Sequence, residues 1–169
     1  MRKNLVDSKI QKPSVYSPNF IFREGLVERL GDRQKHLLVL HATVGYGKTV
    51  LLTHYAQETP DTCAWYHLND TDNDIAVFMQ YLCSSVKKCL PDFDFDPDAF
   101  TPFLQEREAV KTMAHIFVAR MEKAVRSASQ DLILIFDDFQ AIEENEEIQQ
   151  IIQLILNNTT EKIRLILAT

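Results

Sequence analysis

Between His36 and Glu58 the chain passes from a compact apolar run, His36-Leu-Leu-Val-Leu-His41, through a glycine-bearing turn into a stretch of helical composition that Pro60 stops. No other feature restricts the possible folds as strongly. The turn, Ala42-Thr-Val-Gly45-Tyr-Gly47-Lys48-Thr49, satisfies the spacing GxxxxGK[ST] except that Ala42 stands in the first glycine position. Gly45 and Gly47 let the backbone bend so that successive N–H groups point inward at one place. The helix starting there adds the positive end of its dipole. Lys48 supplies a mobile positive charge and Thr49 a hydroxyl suited to a hard divalent cation. An alanine at 42 fits where φ is negative or the turn is relaxed. Strand, loop and helix together predict a phosphate-binding loop, with Val44, Gly45, Tyr46, Gly47, Lys48, Thr49 and Val50 lying along a bound nucleotide. The plainer alternative is a glycine turn followed by an unrelated Lys-Thr pair.

A second segment completes the first. Leu132-Ile-Leu-Ile-Phe136 is a buried-strand pattern that ends in Asp137-Asp138. A phosphate loop needs a carboxylate at the end of a neighbouring strand to hold the Mg²⁺ shell, and Asp137 suits that role. Asp138 is placed to orient or polarise an attacking water, provided its geometry to the γ-phosphate is right. Alone, two acids after an apolar run merely cap a turn. Behind a phosphate loop they complete a metal site, and the expected ligand is ATP or ADP with Mg²⁺.

The remaining pattern alternates strands with helices. Helical stretches are expected at 21–34 (ending near Gly31), Lys48–Glu58, Asp74–Leu90, Glu106–Ala128 and Glu146–Leu156; strands at 36–41, Cys63–Leu68, Leu132–Phe136 and Ile163–Leu167. The run 36–41 reads as a strand buried on both faces. Residues 1–20 read as an extended polar lead-in with Pro13 and Pro18, and 91–104 as a loop. Such alternation implies a three-layer α/β/α fold with a parallel sheet. Residues 1–36 are expected to form the lead-in and short helix, and 37–169 the nucleotide-binding core.

Composition narrows the function classes. The net charge of −6 argues against this chain gripping a nucleic-acid backbone. Cys63, Cys83 and Cys89 are odd in number and lack CxxC spacing, which fits reduced buried thiols and a cytoplasmic location. The N-terminus lacks an apolar signal region and no run approaches a membrane span. The five histidines show no HExxH spacing, so structural roles are expected for all of them. Asp92-Phe-Asp94-Phe-Asp96 imitates the start of a calcium loop, but Pro97 and Phe103 occupy the positions that need Gly and Glu. Of Asp70, Asp72, Asn73 and Asp74, at least one is expected to cap the next helix. Glu143–Glu147 places acids at a helix start. Arg23 either reaches the nucleotide or is a solvated helix charge.

The series Phe22-Arg23-Glu24-x-Leu26, Ala42-x-x-Gly45-Tyr46-Gly47-Lys48-Thr49-x-Leu51-Leu52, Trp65-x-x-Leu68-Asn69-x-x-Asp72-Asn73-Asp74 and Ile135-Phe136-Asp137-Asp138-Phe139 resembles the STAND ATPases. Within them it looks most like the ATP-binding modules of the maltose-regulon activators and the large LuxR-type transcription regulators. Alanine first in the loop is typical of that group. The resemblance implies a switch that rests with ADP and self-associates with ATP and an inducer, either a small molecule or a protein. It implies slow hydrolysis, and DNA contact only through a C-terminal domain outside this chain. It places Arg23 near the nucleotide. It also implies strand order 5-1-4-3-2, with the fifth strand missing here and the strand 36–41 left as an edge that favours self-association. The family's γ-phosphate-sensing arginine after the fourth strand has no counterpart before Thr169, so ATPase activity close to background is expected. A metabolite kinase is the alternative. Such an enzyme would carry a lid with several arginines, whereas 91–128 offers only Arg107, Arg120 and Arg126, on an expected helix.

Overall fold

The computed structural model describes residues 7–14 and 21–169. Strands β1 (Leu37–Leu40), β2 (Thr62–His67), β3 (Leu132–Asp137) and β4 (Ile163–Ala168) form one parallel sheet in the order β1-β4-β3-β2. That is the 1-4-3-2 portion of the expected order. Helices α1 (Glu24–Leu30), α2 (Lys48–Glu58), α3 (Ile75–Cys89), α4 (Arg107–Ser127) and α5 (Glu146–Asn158) cover it, giving the expected α/β/α layers. No helix among the described residues is long and apolar enough to cross a membrane.

Alternation along the strands divides the side chains between two cores. Leu132, Leu134 and Phe136, with Ile163, Leu165 and Leu167, pack with α3, α4 and α5. Ile133, Ile135, Ile166 and Trp65 pack with Leu30 of α1 and Leu51, Leu52 and Tyr55 of α2. β3 and β4 are buried along their whole length, as central parallel strands with continuous apolar runs should be. Two buried strand residues are charged, Asp137 at the end of β3 and Arg164 within β4. Arg164 of β4 is buried against the Tyr55 hydroxyl at 2.9 Å and Asp61 Oδ2 at 3.1 Å. Asp61 Oδ1 accepts from Arg33 at 2.7 Å.

The structure departs from the sequence pattern in four places. β1 is not buried on both faces. Leu38 and Leu40 pack on the α1–α2 side, but Leu37 and Val39 stay open to solvent, Val39 by 58%. The cause is position: β1 lies at the end of the described sheet, with β4 its only strand neighbour there. The lead-in is not simply extended. A 3₁₀ turn at Asp7–Ile10 buries Ile10 in the larger core and sends Lys9 Nζ to the buried Asp72 carboxylate at 2.7 Å. Pro18 lies outside the described residues. The helix expected within 21–34 ends as expected at its C-cap Gly31 but begins only at Glu24. Within 91–104 a 3₁₀ stretch, Pro97–Phe103, is capped by Asp96. Here Phe93 is buried edge-on against Phe117, and Phe95 stacks on Phe100, because closely spaced aromatics find the apolar face of α4.

The acidic residues after β2 have structural partners. Asp74 caps α3 through Val77 N–H at 3.0 Å. Asn69 caps the short turn that follows β2, and Asp72 accepts from the Tyr66 hydroxyl at 2.9 Å. The cysteines are free thiols. Burial pushes Cys63 up to about 12, helped by the nearby Cys89 and Asp61, and Cys89 up to about 11; it also raises Cys83 well above its ordinary value. Since the thiolate is the reactive form, all three thiols are expected to react slowly with a disulfide reagent in the native protein at pH 8 and rapidly in denaturant. A fast native burst of one thiol per chain would contradict this.

Candidate functional site

The strands are parallel, so the loops leaving β1, β2 and β3 gather along one sheet edge, where ligands of open α/β sheets bind. In the β1–α2 loop, Gly45 has φ +88° and Gly47 φ +79°. A Cβ at either glycine would meet nothing within 4 Å, so the left-handed backbone, not crowding, requires glycine. Gly47 is the N-cap of α2 and no side chain caps that helix, leaving its first N–H groups for a ligand. Ala42 avoids positive φ; Asp138 is the only described non-glycine residue that has it. The alanine in the first loop position therefore carries no strain. Its carbonyl accepts from Lys48 Nζ at 2.6 Å. Val44 and Tyr46 project from the loop tip into solvent, and Val50 stands in the first turn of α2.

Asp137, the last residue of β3, is fully buried. Thr49 Oγ1 donates to it, at 3.0 Å from Oδ2 and 3.1 Å from Oδ1. Among the described residues no Lys or Arg pairs with Asp137; its one ionic neighbour is His67, with Nδ1 at 3.4 Å. A buried carboxylate facing a hydroxyl, with no Lys or Arg paired to it among the described residues, suits a hard divalent ion held by oxygen ligands. Thr49 and Asp137 thus fit Mg²⁺. Asp138 follows in the left-handed conformation at φ 60°, ψ 44°, and accepts from Gln140 at 3.1 Å.

Arg23 is the N-cap residue of α1, and its Nη1 donates to the Tyr46 carbonyl at 3.1 Å. With Ile21, Val50, Leu51 and His54 it walls a cavity of about 260 Å³ beside Gly45–Gly47. The structure therefore gathers Arg23, the 42–50 loop, Asp137 and Asp138 at one edge.

His67 belongs to this group and was expected to be structural. It pairs in register with Asp137 across β2 and β3 and stands 3.6 Å from Asp138 Oδ2. Its hydrogen bond to Asp137 raises its affinity for a proton; burial opposes this, and the charges of Asp137 and Asp138 add to the rise. The signal was in the strand order: once β2 neighbours β3, matching their C-terminal ends brings His67 beside Asp137.

This fold and site define a P-loop nucleoside-triphosphate-binding domain. The chain belongs to the AAA domain family, whose family model matches residues 31–169. It is similar to proteins described as "HTH-type transcriptional regulator MalT". The identity is 27% over 164 residues for that of Serratia proteamaculans, 26% for that of Yersinia enterocolitica and 24% for that of Yersinia pestis. Each match covers 96% of this chain and 17% of the relative, so the chain spans about a sixth of those proteins' length. The relatives agree with the resemblance read from the motifs.

Proposed function

We propose that this chain is the ATP-binding switch module of a signal-responsive transcription regulator in the STAND class. The observation that carries the reading is the Thr49 hydroxyl set 3.0 Å from the buried Asp137 carboxylate, beside Lys48, in a chain whose relatives are named as transcriptional regulators. In this reading the loop N–H groups from Val44 to Val50 hold the phosphates. Lys48 leaves the Ala42 carbonyl to meet the β- and γ-phosphates, and Arg23 lies along the nucleotide. Thr49 and Asp137 would hold Mg²⁺, which when bound would supply positive charge beside the phosphates. Asp138 orients water for a slow hydrolysis that resets the switch. DNA contact falls to another part of the regulator, in keeping with the net charge of −6. The inducer is a small molecule or a protein, and the compartment is the cytoplasm. Calorimetric titration with Mg-ATP and Mg-ADP tests the reading; the absence of heat and of competition with a fluorescent ATP analogue overturns it.

Self-association is part of the same proposal. The side of β1 away from β4 has no strand partner among the described residues, and Leu37 and Val39 are exposed beside it. An unpaired apolar edge is a template for another strand. Sedimentation velocity is expected to show mass rising with concentration, and Val39→Lys to suppress it. A wild-type chain that stays monomeric at high concentration contradicts this.

A further inference from the structure

Asp72 is fully buried, and among the described residues its one cationic partner is Lys9. Lys9 Nζ lies 2.7 and 2.8 Å from the two carboxylate oxygens and donates also to Asn69 Oδ1 and Thr71 Oγ1, both at 3.1 Å. One ammonium thus gathers the whole turn that follows β2, Asp70–Asn73 with its cap Asn69. A second clamp on that turn comes from the chain after β3. Asn145 Nδ2 donates to the Asn73 carbonyl at 2.8 Å and to its Oδ1 at 3.0 Å, while Asn145 Oδ1 caps α5. We infer that Lys9 is a positioning residue of the nucleotide site: Asp7–Ile10 is a strap that fixes the turn after β2 and, through it, the Asp137–Asp138 end of the sheet, so that strap docking and magnesium-nucleotide binding reinforce each other.

Coupling of this kind rests on the reading of Thr49 and Asp137 as a magnesium site. Two short links carry it. Asn69 N–H donates to Asp72 Oδ2 at 2.8 Å, and the residue before it, Leu68, donates its N–H to the Asp137 carbonyl at 2.9 Å. That bond is the end rung of the β2–β3 ladder, and it holds the residue whose side chain faces Thr49. On the other branch, Asn145 joins Asn73 to the segment that Asp138 begins. The strap itself has few anchors. Ile10 is buried, Lys9 Nζ lies 4.9 Å from the Tyr81 ring centroid, and Asp7 meets Lys88 in an exposed pair at 3.2 Å. A short segment with one apolar anchor can leave while the core stays folded. Asp72 then keeps the Tyr66 hydroxyl and the Asn69 N–H but loses its counter-charge, which is costly for a buried carboxylate. The turn must open to bring that carboxylate to water, and the end rung at Asp137 frays with it. By linkage, a ligand that fixes Asp137 favours the docked strap.

Lys9→Met keeps the aliphatic stem and removes the charge. Calorimetry is expected to show its Mg-ADP affinity falling at least about fivefold, the lower end of couplings between sites, with magnesium-free ADP affinity unchanged. A purely structural ion pair would change both affinities alike or neither. Lys9→Arg should retain the affinity, because a cation still meets Asp72. Adding Asp72→Asn to Lys9→Met should restore it, since no buried charge is then left unpaired. Circular dichroism verifies that each variant is folded. In the wild-type chain, Mg-ADP should slow amide hydrogen exchange at 68–74 and at 7–14, segments outside the phosphate loop. Equal Mg-ADP affinities for wild type and folded Lys9→Met, a loss that magnesium-free ADP shares in full, or no protection of 7–14 overturns the inference and leaves the phosphate loop's role standing. A wild-type chain that binds no ADP overturns both. If Lys9→Met does not fold, the exchange of wild-type 7–14 with and without Mg-ADP decides.

Discussion

Lys48→Ala is expected to weaken binding of Mg-ATP by about 10- to 150-fold, or about 1.5–3 kcal/mol, the worth of a hydrogen bond to a charged group. In the present structure the ammonium is nearly buried and donates to the Ala42 carbonyl at 2.6 Å, within the loop it would serve. A phosphate entering the loop offers a far stronger acceptor, and Lys48 can turn to it without moving the helix it begins. Alanine keeps Gly45, Gly47 and the α2 N-terminus, so backbone donors still hold the ligand weakly. The loss should therefore be partial, and nearly equal for ATP and ADP if the β-phosphate is the main partner. Lys48→Arg should not restore full affinity, because a planar fork does not replace a compact point charge in a loop shaped for one. Calorimetry settles the matter: equal affinities for wild type and Lys48→Ala would remove Lys48 from the site.

The parts legible in the sequence were those whose physics is local. β3 and β4 show as apolar runs, Gly45 and Gly47 stand where the bend must be, and Asp74 precedes a helix that needs a cap. Asp137 became legible because the phosphate loop requires a carboxylate at a strand end. What stayed hidden depends on partners far apart in the chain. His67 meets Asp137 only through the β2–β3 register. Lys9 meets Asp72 from a segment that reads as a polar lead-in. The exposure of Leu37 and Val39 depends on what lies beside β1, which the composition of that strand does not report. Arg164 interrupts an apolar run, and no local rule names its counter-ion. These are failures of pairing information, and the periodicity itself was sound.

Asp61→Ala is expected to lower stability by about 3–5 kcal/mol, the cost of leaving one member of a buried ion pair alone. Asp61 and Arg164 expose only 5% and 3% of their side chains, and their contact is 3.1 Å. Arginine cannot shed its charge. Once Asp61 is gone, the guanidinium keeps the Tyr55 hydroxyl and the long contacts to the Leu30 and Asp32 carbonyls at 3.5 and 3.4 Å. Tyr55 does not become a counter-ion, because burial raises its pKa above the ordinary value despite the opposing pull of Arg164. Arg33 keeps its pair with Asp131 at 2.8 Å, an exposed contact of small worth, so little is recovered there. The midpoint of thermal unfolding should fall by about 10 °C for a chain of this size. Arg164→Leu should cost less, since it removes the buried charge and leaves Asp61 with Arg33. Asp61→Ala combined with Arg164→Leu should be more stable than Asp61→Ala alone, a coupling that urea denaturation of the four proteins measures. If Asp61→Ala costs under about 1 kcal/mol, or the second substitution rescues nothing, the pair is not what ties β4 to the loop entering β2.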